Sequence, residues 1–386
     1  MIVLLTLLPE AFEMAPMVDE FEEAASQPPV DAVICIDGDA LSRLGPVVRH
    51  LCVGLVDLRA KVRVVTPSPS AARLSIGPVQ LLVHKDLVWP LRRSRFRTIV
   101  DSLSAQPPAV IYAISAGSFG IGVRLAAFFE IDLVVQVNSD RDVDALDALG
   151  RHRPSRAVVA SEPLIEMVQE RWEDRVDAIT LVRPGIARGA ERTCFSDESR
   201  QASLICSAPL EARNGVEVII EAAGILRQRG HSLLTFLTAE GPMEAALRKA
   251  VHTQRLSENV TFARTSAGLV QVLRAADLFV VAPGERGVCA PPLEAMANGT
   301  AVICFDGRGA DFLHDGRTAL VCRERTGAAL ADLLERILND FDLARRVANN
   351  AREYVKQNHS ISVMAERTMD ILRELALPGR TFSIRN

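Results

Sequence analysis

The sequence of 386 residues is defined first by what it lacks. Its seven cysteines (Cys35, Cys52, Cys194, Cys206, Cys289, Cys304 and Cys322) contain no C-x-x-C pair and are odd in number. Several fall in apolar runs, so the reading is reduced core thiols in a cytosolic chain rather than a disulfide framework. No H-x-x-x-H or H-E-x-x-H spacing occurs, which argues against a zinc site. Positive charge is not in excess: 44 Lys and Arg face 48 Asp and Glu, a net charge of −4, so nucleic acid is not the expected partner. No apolar run approaches the roughly 20 residues of a membrane span. The opening "MIVLLTLL" is too short for one and lacks a basic leader region, so it reads as a strand or a small docking segment. Short-period repeats and low-complexity tracts are absent as well.

What remains is a globular composition, 48% hydrophobic and 24% charged, on a chain long enough for two domains. "DAVICIDG" is an apolar strand ending in a turn, "LGPVVRHLCVGLVDLRA" has helical periodicity, and "KVRVVTP" is a β-branched strand. That strand-helix-strand unit marks a parallel, doubly wound sheet. It recurs from "AVIYAIS" through "AITLVRPGI". Polar residues then dominate "ARGAERTCFSDESRQ", the best linker candidate, and the alternation restarts at "ASLICSAP". The expected organisation is a first Rossmann-like domain over 1–190, a linker over 191–201, a second Rossmann-like domain over 202–360, and a helix and tail over 361–386 packing back on the first domain. The fold class is α/β, two doubly wound parallel sheets facing across a cleft, where ligands sit at the carboxyl ends of the strands.

The stretch "APGERGVCAPPLEAMANGTAVICFDGRGADFLHDGRTALV", Ala282 to Val321, closely resembles the donor-binding domain of family 4 glycosyltransferases, the group 1 retaining enzymes of the GT-B fold. The block L-E-A-M-A-x-G followed by D-G-x-T-x-L-V carries the resemblance. "TAEGPMEAAL", "NVTFAR" with "AADLFVVAP", and, more weakly, "RAVVASEPL" and "VRPGI" extend it. It implies a transferase that takes a sugar from a nucleoside diphosphate (NDP) sugar to a glycan or lipid-linked acceptor, with no metal or other cofactor. The residues suit such a donor. Small residues at Gly284, Gly287 and Ala290 let backbone N–H groups of Gly287, Val288 and Cys289 approach phosphates, and Pro291–Pro292 starts a helix whose terminus favours anions. Glu294, expected in the first turn, is placed to accept from vicinal ribose hydroxyls, and as a bare carboxylate it would complement the helix dipole. Gly241 belongs to the matching "TAEGP" turn, and Gly45 stands where the family's first glycine-rich turn meets its ligands. Asp37 and Asp39, flanking Gly38, are read as acceptor-orienting groups or as turn chemistry, and Gly307, Gly309, Asp311 and Gly316 as donor-site or plain turn residues.

The pattern breaks at four family positions. The first motif glutamate aligns with Arg286; Glu285, one residue earlier, is its candidate substitute. In "APLEARNG", Pro209 stands at the family's arginine and Asn214 at its lysine, with Arg213 alongside. Asn138 stands at the first-domain histidine. Fixed cations stabilise the departing diphosphate, so either Arg286 restores part of that charge or the site has decayed. An active transferase and a noncatalytic scaffold or regulator of glycan assembly are both carried forward. "HKDLVWPLRRSRFRTIV" gathers basic residues around Trp89 and Phe96. The stretch Trp89 to Arg97 reads as a solvated helix face or as a patch for an anionic membrane surface. The expected location is cytoplasmic, with peripheral attachment at the inner face of the plasma membrane under the second reading.

Overall fold

The computed structural model describes residues 29–85, 92–150, 153–189, 191–263, 269–306 and 310–377, without the side chains of Arg73 and Arg92. The opening apolar segment, Trp89, Gly307 and Gly309 lie outside the described residues.

Two parallel sheets organise the chain. The first holds β1 (Asp31–Ile36), β2 (Lys61–Thr66), β3 (Gln80–Val83), β4 (Val110–Ile114), β5 (Asp132–Val137), β6 (Arg156–Val159) and β7 (Ile179–Leu181), in the order β3-β2-β1-β4-β5-β6-β7. The second holds β8 (Ala202–Cys206), β9 (Leu233–Leu237), β10 (Val260–Phe262), β11 (Leu278–Val280), β12 (Ala301–Phe305) and β13 (Leu320–Cys322), in the order β10-β9-β8-β11-β12-β13. Strands such as "VIYAI" and "AVICF" are buried along their whole length, as helices on both sheet faces require. The first domain carries α1 (Gly38–Asp57), α2 (Arg92–Ser104), α3 (Ala116–Phe129), α4 (Asp140–Asp147) and α5 (Glu162–Gln169). The second carries α6 (Glu217–Gln228), α7 (Glu244–Thr253), α8 (Leu269–Leu273), α9 (Ala290–Ala297), α10 (Gly327–Asn339) and α11 (Phe341–Asn358), and α12 (Ile361–Ala376) closes the chain. All seven cysteines are buried and free.

Strand order reverses between β1 and β4 in the first sheet and between β8 and β11 in the second. Each reversal opens a crevice at the strands' carboxyl ends.

The last helix lies on the first domain. Ala365 of α12 approaches Gly54 of α1 so closely that a Cβ on Gly54 would fall 2.5 Å from it, and Glu374 pairs with Arg156 at 2.5 Å. The chain crosses between domains twice, side by side. The Ile186 N–H donates to the His359 carbonyl at 3.0 Å, and His359 Nδ1 lies 2.8 Å from the Pro184 carbonyl. Burial lowers the His359 imidazole to about 4, so it stays neutral near pH 7. The polar linker is not slack. Asp277, buried at the start of β11, takes Arg200 at 2.6 Å, Arg192 at 3.4 Å and the Phe195 N–H at 2.9 Å.

Three local features depart from the sequence reading. Helix α1 starts at Gly38, because the Asp37 carboxylate caps it by accepting from the Ala40 N–H at 2.9 Å. Gly45 therefore lies inside a helix rather than in a glycine-rich turn. Strand β3 and helix α4 were not anticipated; α4 had a signal, Ser139 followed by Asp140 and Asp142 in the first turn.

Candidate functional site

The Gly284–Cys289 loop, joining β11 to α9, is seated on the opposite domain. The Val288 N–H donates to the Asn138 carbonyl at 2.7 Å. Gly287 takes φ +74°, and a Cβ there would lie 2.3 Å from that same oxygen; only glycine permits this approach. Val288's N–H is thus engaged by protein rather than left for a phosphate. Gly284 packs as closely on the other side, its notional Cβ 1.8 Å from the Arg213 carbonyl, while its N–H donates to Asn214 at 3.0 Å.

Two cavities lie in the cleft beside this loop. One, of about 420 Å³, is lined by residues including Arg43, Arg141, Arg213, Asn214, Glu285 and Arg286. The other, of about 910 Å³, includes Asp39, Arg43, Ser207, Glu240, Glu285 and Pro291. Asp39, Arg43, Pro209 and Glu285 line both. Glu285 accepts a hydrogen bond from the Cys289 thiol. Burial pushes the Glu285 carboxyl above its usual range, opposed by the nearby Arg43 charge. Burial likewise drives the Cys289 thiol far up, so it is not a nucleophile near neutral pH.

Cations surround the loop, each differently engaged. Arg286 is exposed and pairs with Asp140 of α4 at 3.1 Å. Arg213 pairs with Glu211 at 2.5 Å and with Asp39 across the cleft at 3.2 Å. Arg43, from α1, donates to the Arg286 carbonyl and makes no ion pair among the described residues. Sequence reading missed Arg43, because nothing local marks a residue whose partner lies 243 positions away.

Asn214 and Pro209 hold loops rather than charge: the Asn214 amide donates to the Pro209 carbonyl at 2.7 Å. Asn138, 1% exposed, sits in a buried chain. The Tyr112 hydroxyl donates to Gln136, Gln136 to the Asn138 oxygen, and the Asn138 amide to Ser115 Oγ, all at 2.8–2.9 Å. Its amide is thereby occupied and its carbonyl faces the loop. Asp142 fastens this corner, accepting from the N–H groups of Ala116 at 2.7 Å and Asn138 at 2.8 Å.

Glu294 lies a full turn into α9, not in its first turn, because the helix begins at Ala290 with Pro291 and Pro292 in the opening positions. Dipole complementation, a first-turn effect, is therefore not its role. It is 6% exposed, its carboxylate has no partner among the described residues, and burial raises it to about 7. Gly241 lets its loop pass the chain at Leu210: a Cβ would fall 2.4 Å from the Leu210 carbonyl. Gly45 lines neither cleft cavity. Asp311 is tied to Arg183 at 2.9 Å, a contact between domains. Asp37 borders a separate cavity of about 640 Å³ in the first domain, with His84 and Arg124. No cluster of three or more metal-ligating side chains occurs among the described residues, and no described helix is long and apolar enough to cross a membrane.

Residues 195–354, most of the second domain, match the glycosyl transferases group 1 family. The chain is 24% identical over 355 residues to the alpha-D-kanosaminyltransferase of Streptomyces kanamyceticus, covering 83% of this chain and 90% of that one. It is 33% identical over 196 residues to the D-inositol 3-phosphate glycosyltransferase of Nocardia farcinica, covering 46% and 43%. Among solved structures it is similar to the sucrose-phosphate synthase of Thermosynechococcus elongatus, with TM-score 0.72, 20% identity, and 90% and 99% coverage. It is also similar to the Anabaena HepE protein in complex with UDP and glucose, with TM-score 0.70, 14% identity, and 90% and 100% coverage. The two facing Rossmann-like domains are thus the GT-B fold.

Proposed function

We propose that this chain is a retaining glycosyltransferase that moves a sugar from an NDP-sugar to a glycan or lipid-linked acceptor. Glu294 carries the reading. A buried carboxylate without a protein partner is held at a cost, and a ribose diol relieves it by donating two hydrogen bonds. In the transfer, the bond between the anomeric carbon and the diphosphate oxygen breaks. The acceptor oxygen bonds to that carbon on the same face, and the acceptor's proton leaves with the diphosphate. Glu285, half-buried and lining both cavities, supports a carboxylate contact to the donor sugar. The cleft relatives support UDP as the first nucleotide to try.

The test is calorimetric titration with UDP, GDP and their sugars, followed by nuclear magnetic resonance of any transferred product. Binding of a diphosphate with transfer and an unchanged anomeric configuration is expected. Absence of binding to either nucleotide refutes the donor site, and an inverted product refutes retention. A second reading, the noncatalytic paralogue, is favoured by one observation: Pro209 and Asn214, at the family's cation positions, bind each other. Nucleotide binding with no sugar release from any donor would select it.

Attachment at an anionic membrane surface is part of the proposal. Arg93 and Arg97 are exposed one turn apart on α2. Phe96 does not join them, because the Arg124 guanidinium covers its ring at 3.9 Å.

A further inference from the structure

The first domain presents one cation to the donor loop that neither the family pattern nor the motif residues account for. We propose that Arg43 is the residue that meets the donor diphosphate in this chain, so that the charge absent at Pro209 and Asn214 is delivered from the opposite domain. The inference rests on the NDP-sugar reading and adds to it the residue and the direction of approach.

Four observations carry it. Arg43 lines both cleft cavities. Its guanidinium donates to the Arg286 carbonyl, inside the loop that connects β11 to the cleft helix α9. Its charge acts on three groups around that loop, Glu285, Cys289 and Asp142. Among the described residues, no carboxylate pairs with it. The neighbouring cations differ. Arg213 is shared between Glu211 and Asp39, Arg286 is paired with Asp140, and Arg141 is exposed and lines only the smaller cavity.

A guanidinium has five N–H donors, so Arg43 can keep the Arg286 carbonyl and still offer a fork to two phosphate oxygens. The diphosphate's best cation would then be present only while the two domains are apposed. Donor binding and cleft closure become one event, and an open cleft holds the donor weakly.

The test compares UDP and GDP with uridine and guanosine on the full chain. Arg43→Gln is expected to weaken whichever diphosphate binds the wild type by roughly 10- to 100-fold, the size of a lost charged hydrogen bond. Binding of the corresponding nucleoside should be unchanged, since it has no phosphate to meet. Asn214→Lys added to Arg43→Gln restores a cation at the family position and should recover most of the diphosphate affinity. A folding defect would lower nucleoside and diphosphate binding alike and would not be rescued by the lysine. Diphosphate affinity unchanged in a folded Arg43→Gln protein overturns the inference while leaving the nucleotide site standing. A wild type that binds no nucleotide overturns both.

Discussion

Replacing Glu294 with glutamine should stabilise the empty protein and damage its nucleotide site at once. The carboxyl is 6% exposed, has no partner among the described residues, and titrates at about 7 instead of 4.5. Below pH 4.5 it is protonated in both folded and unfolded chains and contributes nothing to pH dependence. Between 4.5 and 7 the unfolded chain gives up this proton while the folded chain keeps it, so stability falls as pH rises. Above 7 the full difference is present, on the order of 3 kcal/mol. Glutamine keeps the shape and cannot ionise. At pH 8 the variant should therefore melt higher by roughly 5–10 °C, and at pH 4.5 the two proteins should melt together. The opposing titration of His359 is common to both and cancels in the comparison. Differential scanning calorimetry at the two pH values reads this directly. In parallel, calorimetric titration at pH 8 should show nucleoside diphosphate binding weakened by about 1.5–3 kcal/mol, the value of hydrogen bonds to a charged group. Wild-type affinity should fall as pH drops from 8 to 6 and the carboxylate protonates. A variant equally stabilised at both pH values, or destabilised at pH 8, would refute the buried-charge account. Unchanged nucleotide affinity in the folded variant would refute the ribose role.

Arg286→Glu restores the family residue but sets a carboxylate beside Asp140 and the proposed diphosphate site; titration should show weaker nucleotide binding, and stronger binding or faster sugar transfer would refute this. Asp277→Asn leaves Arg192 and Arg200 without their shared carboxylate and should cost about 3 kcal/mol in urea unfolding, whereas wild-type stability would mean the linker is not anchored there. Vesicles containing anionic lipid should retain the chain at low salt and release it at high salt, with Arg93→Ala and Arg97→Ala together weakening retention; equal partition onto neutral vesicles would leave only a solvated helix face.

The alternation of apolar strands and periodic helices made both sheets legible, because a parallel strand is buried on both faces and reads as a continuous apolar run. Short elements escaped: β3, "QLLV", is four residues long and has no fully buried side chain. The start of α1 was obscured because Gly38 and Asp39 carry turn chemistry, while the deciding contact, Asp37 to the Ala40 N–H, depends on three-dimensional geometry. In the site, Glu294 was legible because its motif is local. Charge partners were not. Arg286, Arg213 and Arg43 are told apart only by what they meet across the cleft, at sequence distances of 146, 174 and 243.

The double crossing at Pro184–Ile186 and His359 gives the molecule its mechanics. A single tether would let one lobe swivel and tumble against the other. Two tethers bound to each other, with a helix strapped back over α1, suppress torsion and leave bending as the soft coordinate. The Gly284–Cys289 loop and the Asn138 corner it is seated on, carried on separate domains, are thereby held in register by two strands of chain rather than one.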